Sequence, residues 1–228
     1  MENVLFAPEI AFQNVERKPK WLLPLLLITV LSIVSWFAIV QRIGLDTISR
    51  TQLENSPQWE QMTPEAREHA IEMSTSTVMQ VIGYVPVVVG PALLLLAVSG
   101  AFLLAFALTG AEATFRKLFA VSAHAIFGYT LVSTGLTIAV LLLARNPQAL
   151  DVNNLVHTNL AFLAKGGERP VLAAFLGSLD LLSFYAIYLL SLGNSIVNRR
   201  SLGFNLAVTT FLWAVYVAGK LAITSFWS

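Results

Sequence analysis

The chain has 228 residues, of which 56% are apolar and 12% charged, with no cysteine and a formal charge of +1; its mean hydropathy is +0.71. Soluble domains carry roughly 25% charged residues, so this composition excludes a soluble globular domain, and with it a disordered, fibrous or nucleic-acid-binding chain. A balance so near neutral gives no global field to steer a partner. The lack of cysteine removes disulfides, thiolate nucleophiles, cysteine-ligated metals and thiol lipidation. An integral membrane protein remains.

Residues 1–20 read as a short interfacial segment. Pro8 suits the first position of a helix, Ala11, Phe12 and Val15 share one face, and Pro19 ends it. Trp21 follows where aromatic rings favour the headgroup level. A disordered tail with a proline turn is the alternative. The first of five apolar runs long enough to cross a bilayer core of about 30 Å is 21–40, which carries no charge and is too long for a cleaved signal peptide. In the 41–80 segment, Thr63 as N-cap, Pro64 at the first position and Glu65 near the positive end predict a helix from Pro64 to about Met79. That helix would run on into the second span, 81–108, where Pro86 and Pro91 either kink the helix or mark its first turns. His69 with Glu65 has one metal-like spacing but too few further ligands, and a pairing with His157 is disfavoured.

The third span is 118–143. After Asn146-Pro147, residues 151–165 read as a half-buried helix ended by Gly166-Gly167. The fourth span, 171–193, contains Asp180 and the fifth, 206–227, contains Lys220. Unbroken apolar runs without alternation are helical, because a helix satisfies its own backbone in lipid. The expected fold is therefore all-α: a polytopic membrane protein of five transmembrane helices with short interfacial helices, in one domain over 1–228. Basic residues set the orientation. The side with the N-terminus holds seven of them (Arg17, Lys18, Lys20, Arg116, Lys117, Arg199 and Arg200), and the longer opposite segments hold six beside eight acids. The N-terminus and the basic loops Arg116-Lys117 and Arg199-Arg200 are thus expected on the cytoplasmic face of the cell (inner) membrane.

A charge inside the bilayer is expensive. Asp180 lies 13 residues before Gly193 and Lys220 lies 14 after Leu206, so both fall about 20 Å from the loop joining their helices. The simplest expectation is an intramembrane ion pair. Gly177, Asp180, Phe184, Tyr188 and Ser191 share one stripe; Thr209, Trp213, Tyr216, Lys220 and Thr224 share another. Ser122, Tyr129, Ser133 and Thr137 form a third, with His124 off it. Together they suggest a polar-aromatic seam including Tyr129, Ser133, Tyr188, Trp213 and Tyr216. Such a seam serves as a structural clasp, as a pathway for a proton, ion or small solute, or as a lipid- or partner-binding cleft. The signatures of hydrolases, zinc peptidases and nucleotide binders are absent, so neither an enzyme nor a cofactor or metal is expected.

The layout itself resembles a known family. A proline-and-phenylalanine surface segment precedes five spans, with the third following Thr114-Phe115-Arg116-Lys117-Leu118-Phe119-Ala120. The fourth carries Ser178-Leu179-Asp180-Leu181-Leu182-Ser183-Phe184 and ends at Leu192-Gly193, and the last holds a lysine. This pattern, with Gly128-Tyr129 in the third span and the helix from Pro64, is similar to the Yip domain family, multi-pass proteins named for interaction with Ypt/Rab GTPases, and especially to its prokaryotic branch. The resemblance implies the fold more than an activity. Its eukaryotic members act in vesicle trafficking, but their Asp-Leu-Tyr-Gly-Pro segment has no counterpart here, which argues against a Rab-type partner. The function expected is a non-enzymatic membrane scaffold or organiser that binds lipid or other membrane proteins and self-associates, with Gly83, Gly90, Gly128 and Gly135 available for close helix contacts. A small transporter or channel around Asp180 and Lys220 is the alternative.

Overall fold

The computed structural model describes residues 3–54, 56, 58–156, 158–164 and 169–227. Among them are ten α-helices and no strand. Two short helices come first, Asn3–Phe6 (α1) and Pro8–Arg17 (α2). Then follow Leu22–Ile43 (α3), Leu45–Glu54 (α4), Pro64–Thr75 (α5), Thr77–Thr109 (α6) and Phe115–Leu143 (α7). The chain ends with Pro170–Ser178 (α8), Leu181–Asn198 (α9) and Leu202–Trp227 (α10). Helices α3, α6, α7, α9 and α10 are long and apolar enough to cross a membrane. The shortest of them, α9, has 18 residues and so rises about 27 Å. The protein is an all-α, multi-pass membrane protein.

Packing divides the chain into two compact units, the first comprising Met1–Ile28, Pro91–Val132 and His157–Ser228 and the second Thr29–Gly90 and Ser133–Val156. In the first, α2 forms where Pro8 fixes the opening turn. Its Ala11, Phe12 and Val15 are buried in a core with Phe106 of α6, Leu118 and Val121 of α7 and Leu189 of α9. Its Gln13, Asn14 and Arg17 face outward. This is the amphipathic helix that the spacing predicts.

Two glycines permit the close approach of these helices. A Cβ on Gly193 would lie 2.5 Å from Val121 Cγ1 and 2.8 Å from Phe12 Cδ1 and Cε1, and one on Gly128 would lie 3.0 Å from both Leu189 Cδ1 and Val4 Cγ1. Of the four glycines expected at close helix contacts, Gly128 makes one within the chain, while Gly83, Gly90 and Gly135 meet no other part of the chain within 4 Å.

In the second unit, Ile43, Ile48, Leu141 and Leu155 form a small core. Gly44, at φ +91°, supplies the left-handed residue that redirects the chain from α3 into α4. The Arg42 guanidinium donates from Nε and Nη2 to Leu141 O at 3.1 and 3.0 Å, placing a cation on the negative end of α7. Thr63 Oγ1 accepts from Ala66 N and Pro64 opens α5, as the sequence implies. The helix does not run directly into the second span, however. Ser76 is extended (ψ 151°) and its Oγ accepts from Met79 N at 3.4 Å, so it stops α5 and caps α6. Once begun, α6 continues through both Pro86 and Pro91.

The described part of 151–165 does not form the expected helix. Among the described residues the 144–169 segment contains only short 3-10 turns at 147–149, 152–154 and 161–163. Asparagine and threonine side chains here compete for backbone groups: Asn159 Oδ1 accepts from Ala161 N at 3.0 Å. His157, Lys165 and the Gly166-Gly167 stop lie outside the described residues. No group of three or more His, Asp or Glu side chains that could hold a metal is found among the described ones, His69 and Glu65 included.

Candidate functional site

The fourth apolar run is two helices rather than one. It breaks between Ser178 and Leu181, and Asp180 is the N-cap of α9, with its carboxylate accepting from Ser183 N at 3.1 Å and Ser183 Oγ at 3.2 Å. Thr158 Oγ1 donates to the same carboxylate. The backbone groups opened by the break are met by the neighbouring loop: Leu160 N donates to Leu176 O at 3.2 Å and Leu181 N to Thr158 O at 3.1 Å. Exposed backbone at membrane depth requires such partners.

The expected Asp180–Lys220 ion pair is therefore replaced by another arrangement. The Lys220 ammonium donates to Ser178 Oγ at 3.3 Å and Ala174 O at 3.4 Å, and the ion pairs present among the described residues are those of Glu16. The reason is electrostatic. Breaking a helix creates a negative C-terminal end and a positive N-terminal end; the lysine occupies the first, on α8, and the aspartate the second, on α9. Helix α9 extends to Asn198 rather than ending at Gly193. Asp180 thus stands at the start of an 18-residue span, about 27 Å from the α9–α10 turn.

The polar-aromatic seam also fails to assemble as drawn. Tyr188 and Tyr216 are 41% and 67% exposed. Trp213 is half-buried against Phe184, with ring centroids 6.1 Å apart. Tyr129 and Ser133 are half-buried on α7. The fully buried polar side chains of α9 and α10 lie nearer their connecting turn: Ser191, Asn194 and Asn205.

That turn belongs to a concentrated polar surface at the end of the first unit that carries α2. Glu16 on α2 accepts from Lys117 Nζ on α7 at 3.2 Å and stands 3.8 Å from Arg199 Nη2. Arg200 donates to Gly110 O at 3.0 Å and lies over the Phe204 ring at 5.9 Å. Arg116 is exposed beside Lys117. The four expected basic-loop residues thus gather on one face, where Lys117 and Arg199 hold the amphipathic helix. A cavity of about 520 Å³ opens there, with Glu112, Lys117, Asn198 and Arg199 among its walls.

A model of the Yip1 domain matches residues 3–223, from the first turn of α1 to within a few residues of the end of α10. The chain belongs to the Yip1 domain family. No curated protein and no solved structure matches it. The Yip1 match thus covers both α2 with its cationic clasp and the Asp180 break, and both can be described on this chain's own geometry.

One feature of this Yip1 domain was not visible in the residue pattern. Asn198 Nδ2 donates to Asn205 Oδ1 at 2.8 Å, and Asn205 Nδ2 returns a bond to Asn198 Oδ1 at 3.2 Å. Asn205 O also accepts from Thr209 Oγ1 at 2.8 Å, while Arg199 between the helices is left-handed at φ 54°. This reciprocal amide pair fixes the α9–α10 turn and hence the position of Arg199. The only signal was two asparagines seven apart at the edge of apolar runs. Asn205→Leu is expected to destabilise the protein by about 1–2 kcal/mol, because Asn198 Nδ2 is left buried without its acceptor while Asn198 Oδ1 keeps only the Arg200 N–H. Adding Asn198→Leu should cost less than the sum of the two single changes, as read by thermal unfolding in detergent micelles.

Proposed function

We propose that this protein is a non-enzymatic membrane scaffold that gathers lipid or other membrane proteins at the face carrying α2. The observation that carries this reading is the Glu16 clasp. One amphipathic helix is fixed to the ends of α7 and α9 by Lys117 and Arg199, making a preformed cationic platform on a chain whose spans present apolar side chains outward. By the bias of its lysines and arginines, the platform faces the cytoplasm from the cell membrane. The two charges best suited to a transport pathway, Asp180 and Lys220, are committed to helix ends, which favours the scaffold over the transporter.

Photo-crosslinking in native membranes from a benzoylphenylalanine at Arg116 or Arg199 should give discrete protein adducts, including a second copy of the chain. The same probe at Arg50 should not. Proteoliposomes of the pure protein should pass protons or potassium no faster than empty vesicles. Flux that disappears in Asp180→Asn would replace the scaffold by a transporter.

A further inference from the structure

A second cavity, of about 440 Å³, lies against α2 and is lined by Asn14, Val15, Arg17, Lys18, Lys20 and His124, with no acidic side chain on its walls. Among the described residues Arg17, Lys18 and Lys20 make no ion pair, and the neighbouring Glu16 is engaged by Lys117 and Arg199. The positions of the three cations are set by the chain. Arg17 ends α2, and Lys20 N donates to Lys18 O at 2.8 Å in a tight turn around Pro19. His124 is half-buried on α7. Its Nδ1–H donates to Ala120 O at 2.8 Å, which leaves Nε2 without a protein partner among the described residues. That nitrogen is not sealed inside the core, so a polar ligand in the cleft can reach it.

Depth identifies the ligand. Trp21 follows directly and packs edge-on against Phe119, with centroids 5.4 Å apart, marking the headgroup level. Immediately beyond it Leu22 and Leu23 are more than half exposed, offering an apolar surface to acyl chains. Three unpaired cations, a free ring nitrogen and an adjoining lipid-facing helix start fit one molecule with a phosphate at one end and hydrocarbon at the other. We propose that this cleft binds the phosphate-bearing headgroup of an anionic membrane lipid. The proposal rests on the scaffold reading, to which it gives a specific lipid ligand, and each nearby lysine or arginine should contribute about fivefold to binding.

Native mass spectrometry of the full chain in detergent micelles, offered dioleoyl phosphatidic acid, dioleoyl phosphatidylcholine or inorganic phosphate, tests it. The wild type should retain phosphatidic acid in preference to phosphatidylcholine. Lys18→Gln with Lys20→Gln should weaken retention on the order of 20-fold, and Lys18→Arg with Lys20→Arg should preserve it. A charge-matched control at Arg50→Gln and Arg145→Gln, both exposed and far along the chain from the cleft, should bind as the wild type does. Equal loss in that control would mean diffuse attraction and overturn the site. So would equal retention of the two lipids, and displacement of the lipid by equimolar inorganic phosphate would assign the cleft to a free anion instead. Crosslinks from Arg116 do not depend on these lysines, so failure of the cleft and failure of the scaffold are separable.

Discussion

Gly193→Ala is expected to lower stability by about 1–3 kcal/mol, the cost of overpacking a filled core. The added methyl would sit 2.5 Å from Val121 Cγ1 and 2.8 Å from two atoms of the Phe12 ring, distances that real Cβ contacts do not tolerate. Phe12 and Val121 are both fully buried in the first unit's core, so neither can swing into solvent. The least costly escape is outward movement of α2, which carries Phe12. Limited trypsin digestion should therefore cut faster after Arg17 and Lys20 in the variant, alongside a lower melting temperature. Val121→Ala removes the closest atom, and the Gly193→Ala, Val121→Ala double variant should be less destabilised than the sum of its parts. Gly135→Ala is the contrasting case: no atom lies within 4 Å of the new methyl, and alanine is the better helix former by about 1 kcal/mol. A melting temperature that falls equally in both would refute close packing as the reason for Gly193.

Much of the fold was readable because membrane spans and helix caps are local properties. Five apolar runs became five long helices, displaced at most a few residues at their ends except for the fourth. Pro8 with Ala11, Phe12 and Val15, and Thr63 with Pro64, each encode a helix within a few residues. The fourth run conceals its break because hydropathy averages over about twenty residues and one aspartate hardly alters the mean. The signal was present in another form: Asp180-Leu-Leu-Ser183 is an N-cap followed by a hydroxyl at the third helical position. Reading Asp180 as a charge that needs a counter-charge hid its role as an acceptor for backbone N–H groups. The candidate platform was legible only in its basic loops. Its acidic partner Glu16 and the Asn198–Asn205 pair depend on contacts between helices, which no periodicity records.

The charges at the α8–α9 break give the sharpest separation between a helix-end role and an ion pair. With Asp180 acting as an N-cap, Asp180→Asn should be nearly neutral, because asparagine caps about as well as aspartate, and Asp180→Ala should cost about 1–2 kcal/mol. Lys220→Met should cost about 1 kcal/mol, for the loss of the ammonium's bonds to Ser178 Oγ at the C-terminal end of α8 and to Ala174 O one turn earlier. An ion pair predicts otherwise: Asp180→Asn would strand a buried ammonium, at about 3–5 kcal/mol. The exchange of both residues, Asp180→Lys with Lys220→Asp, then decides. An ion pair survives exchange and should recover stability. Helix ends do not, because the exchange sets an ammonium against the N–H groups opening α9 and a carboxylate against the carbonyls closing α8. The exchanged protein should melt at or below the lower of the two single variants, Asp180→Ala and Lys220→Met, and recovery toward wild type would overturn the assignment of these charges to the two ends of a broken helix.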